Sequence, residues 1–203
     1  MKKHGTDTKD IQRYMRWIEQ RKFVQSVNRN HPLPTLPNTL DWQDSVIGDF
    51  HNEFYKKELE IDQAEANAIV RKISQKWSLR IEQLYPANSS NMKYSWGSAL
   101  GPRHGVIWID SDMMYPSYVL HELAHVVVEC FIDYDLKGKS KLREEGHGIL
   151  YSSVLYHWLE EYYQDDSEAL KCLNNWFDGK TIHMVPKEIY LHMQKLFKKR
   201  ILM

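Results

Sequence analysis

Cysteine is scarce in this chain, which has only Cys130 and Cys172 among 203 residues. Both stand in patterns of apolar residues at helical spacing, which is typical of small side chains buried in a core. Because no Cys-x-x-Cys pair occurs, thiolate zinc sites and thioredoxin-type redox chemistry are excluded. The scarcity also favours a reducing compartment, so we expect a cytoplasmic protein.

Excess charge and long apolar runs are lacking as well. The 27 Lys and Arg residues balance 27 Asp and Glu residues, so no global field attracts nucleic acid or anionic lipid. The sequence contains no stretch of about 18 uncharged apolar residues, and residues 1–17 lack the apolar segment of a secretory signal. We therefore expect a soluble protein that does not associate with membranes.

Helical patterns are present on both sides of a short run of strand patterns. Apolar residues at helical spacing predict helices near residues 8–28, 41–54, 62–76, 117–133, 147–164, 167–177 and 186–201. Alternating and β-branched residues predict strands near residues 78–86 and two more within 92–110, joined by residues 101–105. This order predicts an α+β fold, with a small antiparallel sheet packed on helix 117–133 and flanking helices towards both termini.

Prolines divide the chain into two unequal parts. Three of them fall between Pro32 and Pro37, where regular structure is excluded. We predict an N-terminal helical arm of residues 1–60 that includes this proline-rich linker. The second predicted domain, residues 61–203, contains the motif that carries the chemistry.

The motif His121-Glu122-x-x-His125 lies in a stretch that is otherwise almost wholly apolar. On a helix with about 100° per residue, His125 lies about 40° from His121 and Glu122 about 100° from it. The polar residues thus share one arc, and apolar residues occupy the rest of the circumference. Such a helix is buried on nearly every side, and its polar arc must face a polar partner.

A zinc ion is the partner that this spacing favours. Histidines at positions i and i+4 can bind one ion through imidazole nitrogens, and Glu122 can take a proton from a water bound to that ion. We therefore predict Zn²⁺ as the cofactor, His121 and His125 as ligands and Glu122 as the general base. The alternative is a buried helix whose histidines form hydrogen bonds with the backbone or with acids.

A third ligand is needed for a catalytic zinc site, and His147 is the candidate that we favour. It begins helix 147–164 and shares a face with the residues expected to point into the core, namely Leu150, Tyr151, Val154 and Trp158. Glu144 and Glu145 are the alternatives, because a glutamate at a similar distance past the second histidine serves some zinc hydrolases.

Other polar residues of the same region are candidates for supporting roles. Glu129 and Asp133 lie one and two turns beyond His125 and are candidates to orient the imidazoles. The tyrosines of the region can either donate to an oxyanion or pack at the core and rim. They are Tyr115, Tyr118 and Tyr151.

Three segments together resemble the SprT-like zincins and small zinc metallohydrolases of bacteria and their phages. These segments are the strand Gly105–Asp110, the motif from His121 to His125, and His147-Gly148. Tyr151 departs from the resemblance, since the family tends to carry Phe or Trp there. The resemblance covers residues 92–160. It implies a gluzincin-type core, one catalytic zinc and hydrolysis of peptide bonds.

We thus expect a zinc-dependent metallopeptidase that acts on a protein or peptide. The strand Val106–Ile109 is expected to present an edge along which an extended substrate pairs. A non-catalytic zincin-fold component of a complex or phage particle is the alternative, with a partner protein docked on the N-terminal arm. A DNA-associated SprT-like protease is a further alternative, which is disfavoured because the chain has no cysteine-rich ribbon.

Overall fold

The structure is a computed structural model that describes residues 40–84, 95–110, 114–132, 147–178, 182, 184–185 and 187–199. Several predictions made from the sequence lie outside these residues. They are the helix at 8–28, the proline-rich linker, and the candidate side chains Asp133, Glu144 and Glu145.

Six α-helices and three strands make up the described chain, which confirms the α+β class. The helices are α1 (Leu40–Phe54), α2 (Gln63–Trp77), α3 (Pro116–Cys130), α4 (Ile149–Tyr162), α5 (Ser167–Trp176) and α6 (Lys187–Lys199). The strands are β1 (Arg80–Leu84), β2 (Trp96–Gly101) and β3 (His104–Trp108). Each element lies close to the position that the sequence pattern predicts.

Local sequence signals set the beginnings of helices α2 and α3. Asp62 precedes α2 and accepts a hydrogen bond from the Glu65 amide at 2.8 Å, while the Glu65 carboxylate accepts one from the Asp62 amide at 2.9 Å. This reciprocal pair satisfies two amides that the helix itself cannot. Pro116 begins α3, where its missing N–H costs nothing because that position has no helical acceptor.

The sheet is mixed, and the prediction of an antiparallel sheet is wrong. Its strand order is β1-β3-β2, with β2 antiparallel to β3 and β1 parallel to β3. The turn at residues 102–103 is too short for anything but an antiparallel hairpin of β2 and β3. Strand β1 is free of that constraint, because a long connection separates it from the hairpin, and it pairs with the far side of β3 with Arg80 opposite His104.

This strand order also corrects the predicted edge. Strand β3 lies in the centre of the sheet and is paired on both sides, so Val106–Ile109 cannot offer an edge to a peptide. Val106 and Ile107 are fully buried, which confirms that both faces of this strand are covered. The strand at the edge of the sheet beside α3 is β2.

Helix α3 runs through the middle of the molecule. It packs on β2 and β3 on one side and on α2 and α4 on the others. Its apolar residues are buried almost without exception, as the sequence predicts: Val119, Leu120, Leu123, Ala124, Val126, Val127, Val128 and Cys130. The polar arc of α3 is therefore enclosed by other elements of the protein.

Helix α1 contributes to the same core. Ile47, Phe50 and Phe54 are buried in one hydrophobic cluster with residues of α3 and α4. The predicted arm of residues 1–60 thus includes a segment that packs into the core from residue 47 on. The boundary at residue 60 stays a prediction, since residues 1–39 lie outside the described chain.

The two cysteines are free and buried, as predicted. Burial raises the pKa of the Cys130 thiol to about 12, so this thiol is protonated and unreactive at neutral pH. Among the described helices, none has both the length and the apolar character needed to cross a membrane.

Candidate metal centre

Three histidine nitrogens converge at the polar arc of α3. His121 and His125 lie one turn apart on this helix, and His147 lies two residues before α4. The Nε2 atom of His121 is 3.2 Å from Nε2 of His125 and 3.1 Å from Nε2 of His147. Two ligands at about 2.0–2.1 Å from one tetrahedral zinc ion lie about 3.3 Å apart. The spacing of the three nitrogens therefore fits a shared ion of this size.

No other group of potential ligands in the described chain has this property. Among the described residues, His121, His125 and His147 form the one group of three or more ligand atoms that could hold an ion, with all atoms within 4.8 Å of one another. The structure thus brings together the three side chains that the sequence singles out, although 21 residues separate His125 on α3 from His147.

Burial keeps the imidazoles of His121 and His125 neutral. It lowers the pKa of His125 to about 3, with a further contribution from the nearby His147. The pKa of His121 lies well below its usual range because of burial and then because of His51, His125 and His147. A neutral imidazole offers a lone pair, which is the form that a metal ion binds. The site is therefore ready for a cation at neutral pH.

The ring of Tyr151 contacts all three histidines of the cluster. Its side chain is fully buried, and its ring stacks on His125 with centroids 4.4 Å apart. The same ring meets His121 and His147 edge-on, at 5.3 and 4.8 Å. For this tyrosine the packing role is the one that the structure supports, and it fixes the ring planes of all three histidines.

Glu122 lies on the side of α3 that faces β2. Its side chain is only 4% exposed. Burial raises the pKa of Glu122 well above its usual range, although the Gly97 amide donates a hydrogen bond that opposes this shift. A Cβ atom at Gly97 would lie 2.0 Å from the Glu122 carbonyl oxygen, so only glycine allows β2 to approach α3 this closely. The edge strand therefore lies directly beside the candidate base.

His51 contacts the site, although no pattern in the sequence points to it. This residue lies in the last turn of α1, is 3% exposed, and places its Nε2 atom 2.6 Å from Nδ1 of His121. The only local signal is its position next to the apolar face of α1, beside Phe50. Its contact with His121 spans 70 residues, and no spacing rule covers such a distance.

Glu129 holds the edge strand. One of its carboxylate oxygens accepts hydrogen bonds from the Ser98 hydroxyl at 2.9 Å and from the Ala99 amide at 2.7 Å. These contacts join α3 to β2 one turn beyond His125. The predicted role of Glu129 in orienting an imidazole stays a prediction.

Two further tyrosines lie at the start of α3. Tyr118 stacks on His51 with ring centroids 5.0 Å apart, and the rings of Tyr55 and Tyr115 lie within 6.3 Å of it. All three are partly exposed. Burial raises the pKa of the Tyr118 hydroxyl, so it keeps its proton and can donate a hydrogen bond. Donation by Tyr115 or Tyr118 to an oxyanion stays a prediction.

Comparison with known proteins gives no relative: no family model, no curated protein and no solved structure matches this chain. The likeness to SprT-like zincins therefore rests on the three sequence segments alone. What the geometry offers chemically is a half-buried set of three imidazoles whose ring nitrogens converge, a buried carboxylate at the position after His121, and an adjacent edge strand.

Proposed function

We propose that this protein is a zinc-dependent hydrolase, and that its substrate is a peptide bond. In this proposal His121, His125 and His147 bind the zinc ion, and Glu122 is the general base. The observation that carries it is the convergence of three Nε2 atoms at 3.1–3.2 Å around His121.

A cluster held by hydrogen bonds alone explains this convergence less well. The Nε2 atom of His121 faces two other Nε2 atoms, so its single proton or its single lone pair would have to serve both neighbours. A single cation instead accepts all three lone pairs at once. An all-imidazole donor set also suits zinc better than it suits magnesium or calcium, which prefer oxygen ligands.

The zinc ion and Glu122 have different chemical roles in this proposal. Zinc held by three imidazoles supplies Lewis acidity to a bound carbonyl or water. Glu122 accepts the proton of the attacking water and returns it to the leaving group. The raised pKa of this buried carboxyl suits the second step, in which it acts as an acid.

Peptide substrates are proposed because of the edge strand. Strand β2 lies along α3 and brings Gly97 next to Glu122. An extended peptide can add to such an edge through main-chain hydrogen bonds. It would replace the hydrogen bonds that the Gly97 and Ala99 amides donate to Glu122 and Glu129, which occupy this edge.

A minimal zincin core of the SprT-like or gluzincin type is part of the same proposal. It is supported by the HExxH helix packed on a small sheet and by His147 at the start of a later helix. A non-catalytic assembly component and a DNA-associated protease stay as alternatives. Both would use the same fold, but the protease would depend on Glu122 and the assembly component would not.

Replacement of Glu122 separates an enzyme from a scaffold. We expect Glu122→Gln to bind one equivalent of zinc as the wild type does, and to lose about 10²–10⁴-fold in hydrolysis of unstructured casein. Zinc is measured by elemental analysis after titration and gel filtration. Glu161→Gln is the matched control, because this carboxylate pairs with Lys72 and Lys76 away from the histidines.

Three results would contradict the proposal. Wild-type protein that takes up no zinc on titration would remove the metal site, as would His125→Ala protein that binds zinc as tightly as the wild type. Equal casein hydrolysis by the wild type and Glu122→Gln would leave a metal site without the proposed base.

A further inference from the structure

His51 is a buried polar side chain at the metal centre that the proposed chemistry does not use. It comes from α1, is 3% exposed, and packs between the rings of Tyr118 and Phe50, with centroids 5.0 Å away in both directions. A phenylalanine would fill the same aromatic space without any polar atom to satisfy. Packing alone therefore does not explain a histidine here.

The polar contact of His51 is made with one atom of one candidate ligand. Its Nε2 atom lies 2.6 Å from Nδ1 of His121, on the opposite side of the His121 ring from the nitrogen that faces His125 and His147. His51 does not belong to the group of described side chains that could share an ion. It is thus placed to act on the metal through His121.

The contact fixes where the protons lie. Two ring nitrogens at this distance need one proton between them. If Nε2 of His121 offers its lone pair to a metal, the single proton of that neutral ring is on Nδ1. His121 then donates to Nε2 of His51, and His51 carries its own proton on Nδ1.

This placement of protons makes Nδ1 of His51 a buried hydrogen-bond donor. Nδ1 of His51 is buried and has no hydrogen-bond partner among the described residues. An unpaired buried donor destabilises the folded state, and it persists where another interaction requires the arrangement. Here that interaction is the hydrogen bond which holds His121 ready for metal.

We propose that His51 is a positioning residue for the metal centre: it accepts the Nδ1–H of His121 and thereby holds the tautomer whose Nε2 binds zinc. Metal-binding histidines generally donate their second ring N–H to a carboxylate, a carbonyl or water. In this chain a neutral imidazole from a distant helix takes that place. The proposal rests on the zinc site proposed above and adds α1 to it.

Two variants of His51 separate positioning from packing. His51→Phe keeps the aromatic volume and removes the acceptor, so we expect zinc affinity to fall by about 10–100-fold without a lower melting temperature of the metal-free protein. His51→Gln places an amide oxygen close to the position of Nε2 and should restore affinity close to the wild-type value. His157→Phe is the control, because His157 contacts Glu160 and Tyr190 and not the histidine cluster, so the substitution should leave zinc affinity unchanged.

The tautomer itself can be read in the wild-type protein. Long-range ¹H–¹⁵N correlation spectra of the zinc-loaded protein should show His121 with a protonated Nδ1 and a metal-bound Nε2. This measurement decides the matter even if His51→Phe fails to fold.

The outcomes distinguish this proposal from the proposed function. If the wild type binds zinc and His51→Phe binds it equally tightly, or if Nδ1 of His121 is the metal-bound nitrogen, the positioning role is wrong and the zinc site stands. If the wild type binds no zinc, both proposals are wrong.

Discussion

Gly97 is a residue at which strand β2 lies directly against the backbone of α3. Its conformation is one that any residue adopts, so space and not backbone freedom requires glycine here. An added Cβ would meet backbone atoms of Glu122, the carbonyl oxygen at 2.0 Å and the carbonyl carbon at 2.8 Å. Backbone atoms cannot rotate away as the end of a side chain can, so the strand itself would have to move.

Substitution of this glycine is expected to be costly. We predict that Gly97→Ala lowers the free energy of unfolding by about 1–3 kcal/mol, as overpacking does, and that it displaces Glu122 from β2. Urea unfolding measures the change. Gly48→Ala is the matched control, because nothing lies within 4 Å of its added methyl in helix α1, and it should stabilise by about 0.5–1 kcal/mol. Equal stability of Gly97→Ala and the wild type would show that β2 does not lie on α3 at this point.

The candidate metal ligands could be predicted from the sequence, but the residues that contact them could not. His121 and His125 follow from the helical period, and His147 from its place at the start of a core helix. His51 carries no such signal, since its role depends on how α1 packs against α3 across 70 residues. Periodicity shows which face of α1 is buried, but not what that face meets.

At the scale of whole elements, the start of α3 is held by a carboxylate from the segment after α1. Glu58 accepts hydrogen bonds from the Ser117 amide at 3.0 Å, from the Ser117 hydroxyl and from the Tyr163 hydroxyl. These contacts join α1, α3 and the end of α4. The histidines of α3 depend on this anchoring, because they project from the following turns.

Glu58 should make stability depend on pH in a defined direction. Burial raises the pKa of Glu58 above its ordinary value of 4.5, although hydrogen bonds from Ser117 and Tyr163 act against the shift. The folded state thus holds this proton to a higher pH than the unfolded chain does. Its contribution to stability is present below pH 4.5 and is lost as the pH rises through the folded pKa.

The test compares Glu58→Gln with the wild type by urea unfolding between pH 4.5 and neutrality. We expect the stability of the wild type relative to the variant to fall as the pH rises, because the glutamine cannot release a proton. Glu60→Gln, an exposed neighbour, should show no such trend relative to the wild type. If the stability of the wild type relative to Glu58→Gln instead rises with pH, the hydrogen bonds to Glu58 affect its pKa more than burial does.

The sequence pattern predicts one of the two strand pairings of the sheet but not the other. The hairpin of β2 and β3 follows from a turn of two residues between Gly101 and His104, which permits one arrangement only. The parallel pairing of β1 with β3 depends on a long connection whose path no local residue determines. Because β1 pairs with β3 on the side opposite β2, strand β3 is central and β2 is the edge strand beside α3. The prediction that Val106–Ile109 forms an edge is therefore wrong.

At the scale of the whole molecule, the candidate site joins parts of the chain that are far apart. His51 comes from α1, His121 and His125 from α3, and His147 from the start of α4. A zinc ion bound by the last three would link α3 to α4 in the folded state only, since an unfolded chain does not hold its ligands together. Metal binding should therefore stabilise the whole fold.

Thermal unfolding with and without zinc tests this coupling. With free zinc at about 100 times its Kd, binding adds about 2.7 kcal/mol to the free energy of unfolding. For a chain of this size, each 1 kcal/mol raises Tm by about 2–4 °C, so an increase of about 5–10 °C is expected. A chelator should reverse the increase, and His125→Ala should show none, because two imidazoles do not complete the site. An equal increase in Tm for His125→Ala would mean that zinc binds at another site, and that the three converging nitrogens do not bind it.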